Sequence, residues 1–136
     1  MDRIFVDTDV ILDFLLGREP FALDAARILS LSERKMAHSC TTGLVFANAY
    51  YILRKISPHR KCVEKLLQLA GIIEILDLAK PAVISALQSD FTDFEDALQH
   101  FSAARGRVKV IVTRNVKDFK NSELAVMSPD MYLKQL

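Results

Sequence analysis

The chain is 136 residues long, 51% hydrophobic and 26% charged, with a formal net charge of +1. That length allows one domain with a substantial core, and that balance of apolar and charged residues excludes a disordered chain. With so little net charge, a nucleic-acid partner has to be held by a local basic patch, because no whole-molecule field attracts it.

No apolar run approaches the roughly 20 residues of a membrane span. The N-terminus lacks a cationic stretch followed by an apolar one, so no membrane association and a cytoplasmic location are expected. Cys40 and Cys62 have no paired spacing and read as reduced, buried thiols.

In chain order, Arg3 to Val6 reads as a strand. Val10, Ile11, Phe14 and Leu15 then mark a short helix over 9–16, closed by Gly17. Pro20 opens a second helix with apolar positions from Ala22 to Leu31. Met36 to Cys40 reads as a strand, and Thr41-Thr42-Gly43 as the cap of an apolar helix from Leu44 to Ile56. Ser57 and Pro58 form a stop and restart, with Ser as N-cap and Pro at the first position of a helix over 58–70. Ile72 to Leu76 is a strand, and Pro81 starts a helix running to about Ser89. A further helix covers 94–105, and Val108 to Val112 is the strongest strand, β-branched and bounded by polar residues. Leu124 to Met127 makes a short last strand before a helix capped by Ser128-Pro129-Asp130. Strands alternating with helices predict an α/β fold: a three-layer α/β/α sandwich around a central parallel sheet of four or five strands. No repeat, linker or low-complexity tract divides residues 1–136, which read as a single domain.

Three polar groups stand where chemistry is expected. Asp7 lies at the end of the first strand, and ligands of open parallel sheets bind outside the carboxyl ends of the strands. Asp90, Asp93, Glu95 and Asp96 gather at a helix start, where the dipole favours acids in any case. Asp96 sits at the edge of the face marked by Ala97, Leu98, Phe101 and Ala104, so it can point over the sheet toward Asp7. The third group is Thr113-Arg114-Asn115-Val116-Lys117-Asp118, where Asn115 and Asp118 share a face if the segment makes one turn. It also reads as a capped turn with Asn115 as N-cap and Phe119 packed inward. Carboxylates converging without His or Cys suit a hard cation, Mg²⁺ or Mn²⁺, and hydrolytic phosphoryl transfer. Arg114 and Lys117 flank this group and are candidates to meet substrate phosphate. The motifs GxxxxGK[ST], HExxH and GxSxG do not occur.

Val6-Asp7-Thr8-Asp9-Val10-Ile11-Leu12, Asp96-Ala97 opening a helix, and Val112 to Phe119 together resemble the PIN domain, the nuclease fold of VapC-like toxins in toxin–antitoxin pairs. The resemblance covers essentially the whole chain. It implies Mg²⁺- or Mn²⁺-dependent cleavage of single-stranded RNA, a homodimer, and a cognate antitoxin as partner. It makes Asp7 the first metal-binding acid, Asp96 the third and Asp118 the fourth with Asn115 beside it, while Asp93 is a supporting neighbour. Thr8 and Thr113 match hydroxyl positions that orient the acids.

The sequence departs from the family at the second acid. Asn48 stands where a Glu is expected, among Leu44, Val45, Tyr51 and Ile52. A buried Asn needs a partner, since an unsatisfied amide costs about 1–3 kcal/mol. It can offer a carbonyl oxygen but no charge, and Asp9, where Asn is commoner, restores one negative charge nearby. Two alternatives follow: a catalytically weakened PIN module that binds RNA or a protein, and a phosphatase. Asp7-Thr8-Asp9 also resembles the opening of haloacid-dehalogenase-like phosphatases, whose first Asp is a covalent nucleophile. Against that, the chain is short and lacks an adjacent late pair of acids.

Overall fold

A computed structural model describes residues 1–136. Its sheet has five parallel strands: β1 (Asp2–Val6), β2 (Ala37–Thr42), β3 (Glu74–Leu76), β4 (Val110–Val112) and β5 (Ala125–Met127), in the order β3-β2-β1-β4-β5. Seven α-helices connect them: α1 (Thr8–Leu16), α2 (Ala22–Glu33), α3 (Gly43–Arg54), α4 (His59–Ala70), α5 (Lys80–Gln88), α6 (Phe94–Arg105) and α7 (Pro129–Lys134). A 3₁₀ turn, Val116–Phe119, lies between β4 and β5. The expected sandwich is present, with five strands.

The sequence of β1 and β4 explains why they lie at the centre. Ile4, Phe5 and Val6 are wholly buried, and so, nearly, are Val110, Ile111 and Val112. Strands covered by helices on both faces carry apolar residues continuously instead of alternating. The chain steps outward from β1 to β2 to β3, then returns to the other side of β1 to form β4 and β5. The order therefore reverses between β1 and β4, and connections leaving in opposite directions open a crevice at the carboxyl ends of these strands. Register brings the ends level: Val6 pairs with Val112, and the Asp7 amide donates to the Val112 carbonyl at 3.0 Å.

Several boundaries differ from the expected ones, for reasons visible in the hydrogen bonds. Thr41 and Thr42 extend β2, with Thr42 also in the N-cap position of α3 but making no side-chain capping bond, and the Thr41 hydroxyl donates to the buried carbonyl of Val6 at 3.1 Å. Ile72 and Ile73 bond back to Leu69 and remain in the exit from α4, so β3 starts only at Glu74. Val108 likewise bonds back to Ala103 at the end of α6, which delays β4 to Val110. Ser57 bonds to Leu53 at the end of α3, leaving Pro58 in the N-cap position of α4. Gly17 ends α1 as expected, at φ 63°, with its amide on the carbonyls of Asp13 and Phe14. That left-handed conformation disfavours a residue with a Cβ by about 1–2 kcal/mol.

Phe5→Ala, at the wholly buried centre of β1, is expected to cost about 3–5 kcal/mol in urea unfolding. Gly17→Ala should cost only about 1–2 kcal/mol. Equal losses would contradict the packing described.

Candidate active site

β1 delivers Asp7 to the crevice, and the start of α1 holds it there. The residue is the N-cap of α1, its Oδ1 accepting the Thr8 amide at 2.7 Å. Its Oδ2 accepts the Thr113 hydroxyl from the end of β4 at 2.8 Å. Thr113 is itself wholly buried, and its oxygen receives the Asn115 amide at 3.1 Å. Thr8 acts on Asp7 through its backbone amide; its hydroxyl is buried without a partner, unlike the orienting role expected for it. Asp9, in the first turn of α1, accepts the Arg114 amide at 3.0 Å.

Beneath these acids lies an ion pair that sequence reasoning missed. Asp13 is 1% exposed and accepts two bonds from Arg114, at 2.6 and 3.1 Å, and one from Arg18 at 2.9 Å. Arg114 also lies over the Phe21 ring, 4.0 Å from its centroid. The guanidinium expected to meet substrate phosphate is thus engaged in tying the β4 exit to α1 and α2. A bidentate pair of this kind fixes position as well as charge. Lys117, by contrast, is exposed on the 3₁₀ turn.

The remaining acids come from α6 and the 3₁₀ turn. Asp93 is the N-cap of α6, its side chain accepting the Asp96 amide at 3.0 Å, and this structural duty accounts for it. Asp96 and Asp118 face Asp7 across a cleft of about 320 Å³ that is also lined by Asp9, Glu95, Gln99, Asn115, Arg18 and Arg114. Asn115 occupies the cap position of the turn without a side-chain cap bond, and Phe119 packs inward at 1% exposure, so both readings of this segment hold together. Asn48 is half-buried on α3, and its amide donates to Glu95. Glu95 and Gln99 were not singled out as site residues in the sequence. The signal was available: Gln99 follows Glu95 by four residues and Asp96 by three, which places all three on one helix face.

Five carboxylates line the cleft, while its two guanidinium groups are both held by Asp13. The electrostatic result is a site that resists its own ionisation. Burial pushes the Asp7 carboxyl up to about 6, with the Asp9 charge adding to it and the Thr113 and Thr8 hydrogen bonds opposing. Burial pushes Asp96 up to about 7, reinforced by the charges of Asp93, Asp7, Asp118 and Glu95. Asp9 is raised as well, again mainly by burial.

A sequence profile of the PIN domain matches residues 3–117, most of the chain. The chain belongs to the PIN domain family. Solved structures share its fold. VapBC2 from Rickettsia felis, bound to a DNA fragment from its promoter, superposes with TM-score 0.70 at 16% identity, covering 93% of this chain and 97% of that one. A toxin–antitoxin complex from Klebsiella pneumoniae gives 0.71 at 19% identity, with 93% and 97% covered. VapC20 from Mycobacterium tuberculosis, a toxin that cleaves the sarcin–ricin loop, gives 0.62 at 17% identity, with 79% and 86% covered. No curated protein matches. The family match decides between the two resemblances of Asp7-Thr8-Asp9 in favour of the PIN domain.

The residues of this PIN cleft fit a divalent cation. Asp9 Oδ1, Thr8 Oγ1 and Gln99 Oε1 are buried oxygens with no partner, and Gln99 as a whole is 1% exposed. Oxygen donors without sulfur or imidazole match Mg²⁺ or Mn²⁺. A second convergence, His38, Cys40 and Glu74 on β2 and β3, has its potential ligand atoms within 4.8 Å of one another. Its charges are already matched. Glu74 accepts two bonds from Arg3 and one from His38, which hold it down at about 2, and burial keeps the Cys40 thiol protonated at about 11.

The raised carboxyls set a pH dependence. Asp7 and Asp96 bind protons more tightly in the fold than in the unfolded chain, so their contribution to stability is full below about pH 4. It is lost as pH rises through about 6 for Asp7 and about 7 for Asp96. His100, held below its ordinary value by burial, acts in the opposite direction, so the difference between two variants is the quantity to read. In EDTA, Asp7→Asn is expected to melt higher than the wild type at pH 8 and to lose that advantage by pH 4. A variant that melts lower at pH 8 would contradict the repulsion. Separately, Arg114→Ala should cost about 3 kcal/mol in urea unfolding, because it strips a buried carboxylate of its better partner. A loss below about 0.5 kcal/mol would show that the pair behaves as an exposed one.

Proposed function

We propose that this PIN domain is an Mg²⁺- or Mn²⁺-dependent endoribonuclease that hydrolyses single-stranded RNA. The observation that carries the reading is the convergence of Asp7, Asp9, Glu95, Asp96 and Asp118 on one cleft whose guanidinium groups are engaged elsewhere. Such a group of like charges calls for a divalent counter-ion. Asp7, Asp96 and Asp118 would hold it, with Asn115 as a neutral neighbour. When bound, the ion supplies an activated water and stabilises charge on the scissile phosphate.

The protein's own groups hold that arrangement in place before substrate arrives. Thr113 and the Thr8 amide fix both oxygens of Asp7, and the Arg114 amide fixes Asp9. Lys117, exposed and next to Asp118 in the chain, would meet RNA phosphate, whereas Arg114 would contribute mainly through position. The likeness to VapBC complexes supports a place as the toxin of a toxin–antitoxin pair, held inactive by a small partner protein. Tyr51, Ile56 and Leu67, at 69–71% exposure on and between α3 and α4, offer apolar surface for such a partner or for a second copy of the chain. No helix is long and apolar enough to cross a membrane.

Purified protein is expected to cut a mixed RNA pool in Mn²⁺ or Mg²⁺ and to stop in EDTA. Asp7→Ala should reduce the rate by at least about 100-fold, the upper end of what even outer-shell substitutions cost a metal site. Tight RNA binding with no products in either metal would overturn the nuclease reading and favour a binding module.

A further inference from the structure

Asn48 leaves α3 without a carboxylate, yet the place beside it is not short of charge. The Asn48 amide donates to Glu95 Oε1 across the gap between α3 and the first turn of α6. Glu95 immediately precedes Asp96 and lines the same cleft as Asp7, Asp9 and Asp118. It has no capping duty to explain it. Asp93 is the N-cap of α6 and bonds the Asp96 amide, so the position from which a side chain reaches back to the cap belongs to Asp96. The helix dipole alone would tolerate Glu95 there, but does not supply the bond from a helix 47 residues earlier in the chain.

We propose that Glu95 supplies to the metal site the carboxylate that α3 lacks, and that Asn48 is the positioning residue that holds it over the cleft. The inference rests on the metal-dependent reading above and assigns a residue within that site. Gln99, one turn further along α6, lines the cleft with an unpartnered oxygen, so this helix face carries donors awaiting a ligand as well as acids. The two positions are then coupled. One carboxylate fits between them, because a second would stand within hydrogen-bond distance of the first and repel it. A neutral amide at position 48 donates to Glu95 instead, so the residue that leaves α3 without a carboxylate is the one that makes Glu95 usable.

A four-variant cycle read by Mn²⁺ affinity tests the coupling. Isothermal titration of Mn²⁺ into metal-free protein would compare the wild type, Asn48→Glu, Glu95→Gln and the double variant. RNA cleavage and thermal unfolding would be followed in parallel. Glu95→Gln is isosteric at an exposed position, so folding is expected to survive it. Its Mn²⁺ affinity should fall at least about tenfold. Asn48→Glu alone should lower the melting temperature of the metal-free protein through repulsion. The double variant, with amide and carboxylate exchanged, should return to within about threefold of wild-type Mn²⁺ affinity.

Undiminished Mn²⁺ binding by Glu95→Gln would overturn the proposal and leave the metal-dependent reading standing. Failure of the double variant to recover would overturn the exchange between the two positions. A wild type that binds no Mn²⁺ would remove both together.

Discussion

Asp7 and Thr113 meet at 2.8 Å where β1 and β4 end side by side, and the acidic cleft depends on that contact. It joins residues 106 positions apart, and only the reversal of strand order between β1 and β4 makes it possible. An acid at the end of one strand and a hydroxyl at the end of the next then fix each other. From Thr113 the chain turns immediately to Asn115 and Asp118, and from Asp7 immediately into α1. The apolar centre of the sheet is therefore a positioning device, because burial of Ile4 to Val6 and Val110 to Val112 sets the level of both strand ends.

Charge is the second constraint. A cleft lined by five carboxylates works against its own folding unless something opposes the repulsion, and here part of the opposition lies one layer below. Asp13 gathers Arg114 and Arg18 and ties the β4 exit to α1. Both cations are matched mainly to Asp13, so they offset the cleft's charge only in part and its five carboxylates remain in excess. The His38–Cys40–Glu74 group shows the contrast: there Arg3 satisfies the acid, and no residual charge asks for an ion.

The element order was legible in the sequence because parallel strands and crossover helices differ so plainly in pattern. Strand ends were less so, since the amides of Ile73 and Val108 could join either a strand or the preceding helix, and the helix exit prevailed. Asp7, Asp96 and Asp118 stood out by following strands or opening α6. Asp13 did not, because an acid in the middle of a short helix reads as solvent-facing until Arg114 is known to fold over it. Asn48 was legible as a residue needing a partner, but its partner, Glu95, is close only in three dimensions.

The most direct measurement is anomalous diffraction at the manganese edge from crystals soaked in Mn²⁺. The predicted result is a peak in the cleft within coordination distance, about 2.0–2.4 Å, of carboxylate oxygens from Asp7 and Asp96. A cleft with no manganese, with density instead at His38 and Glu74 or nowhere in the protein, would contradict the claim that these acids are gathered to hold a metal.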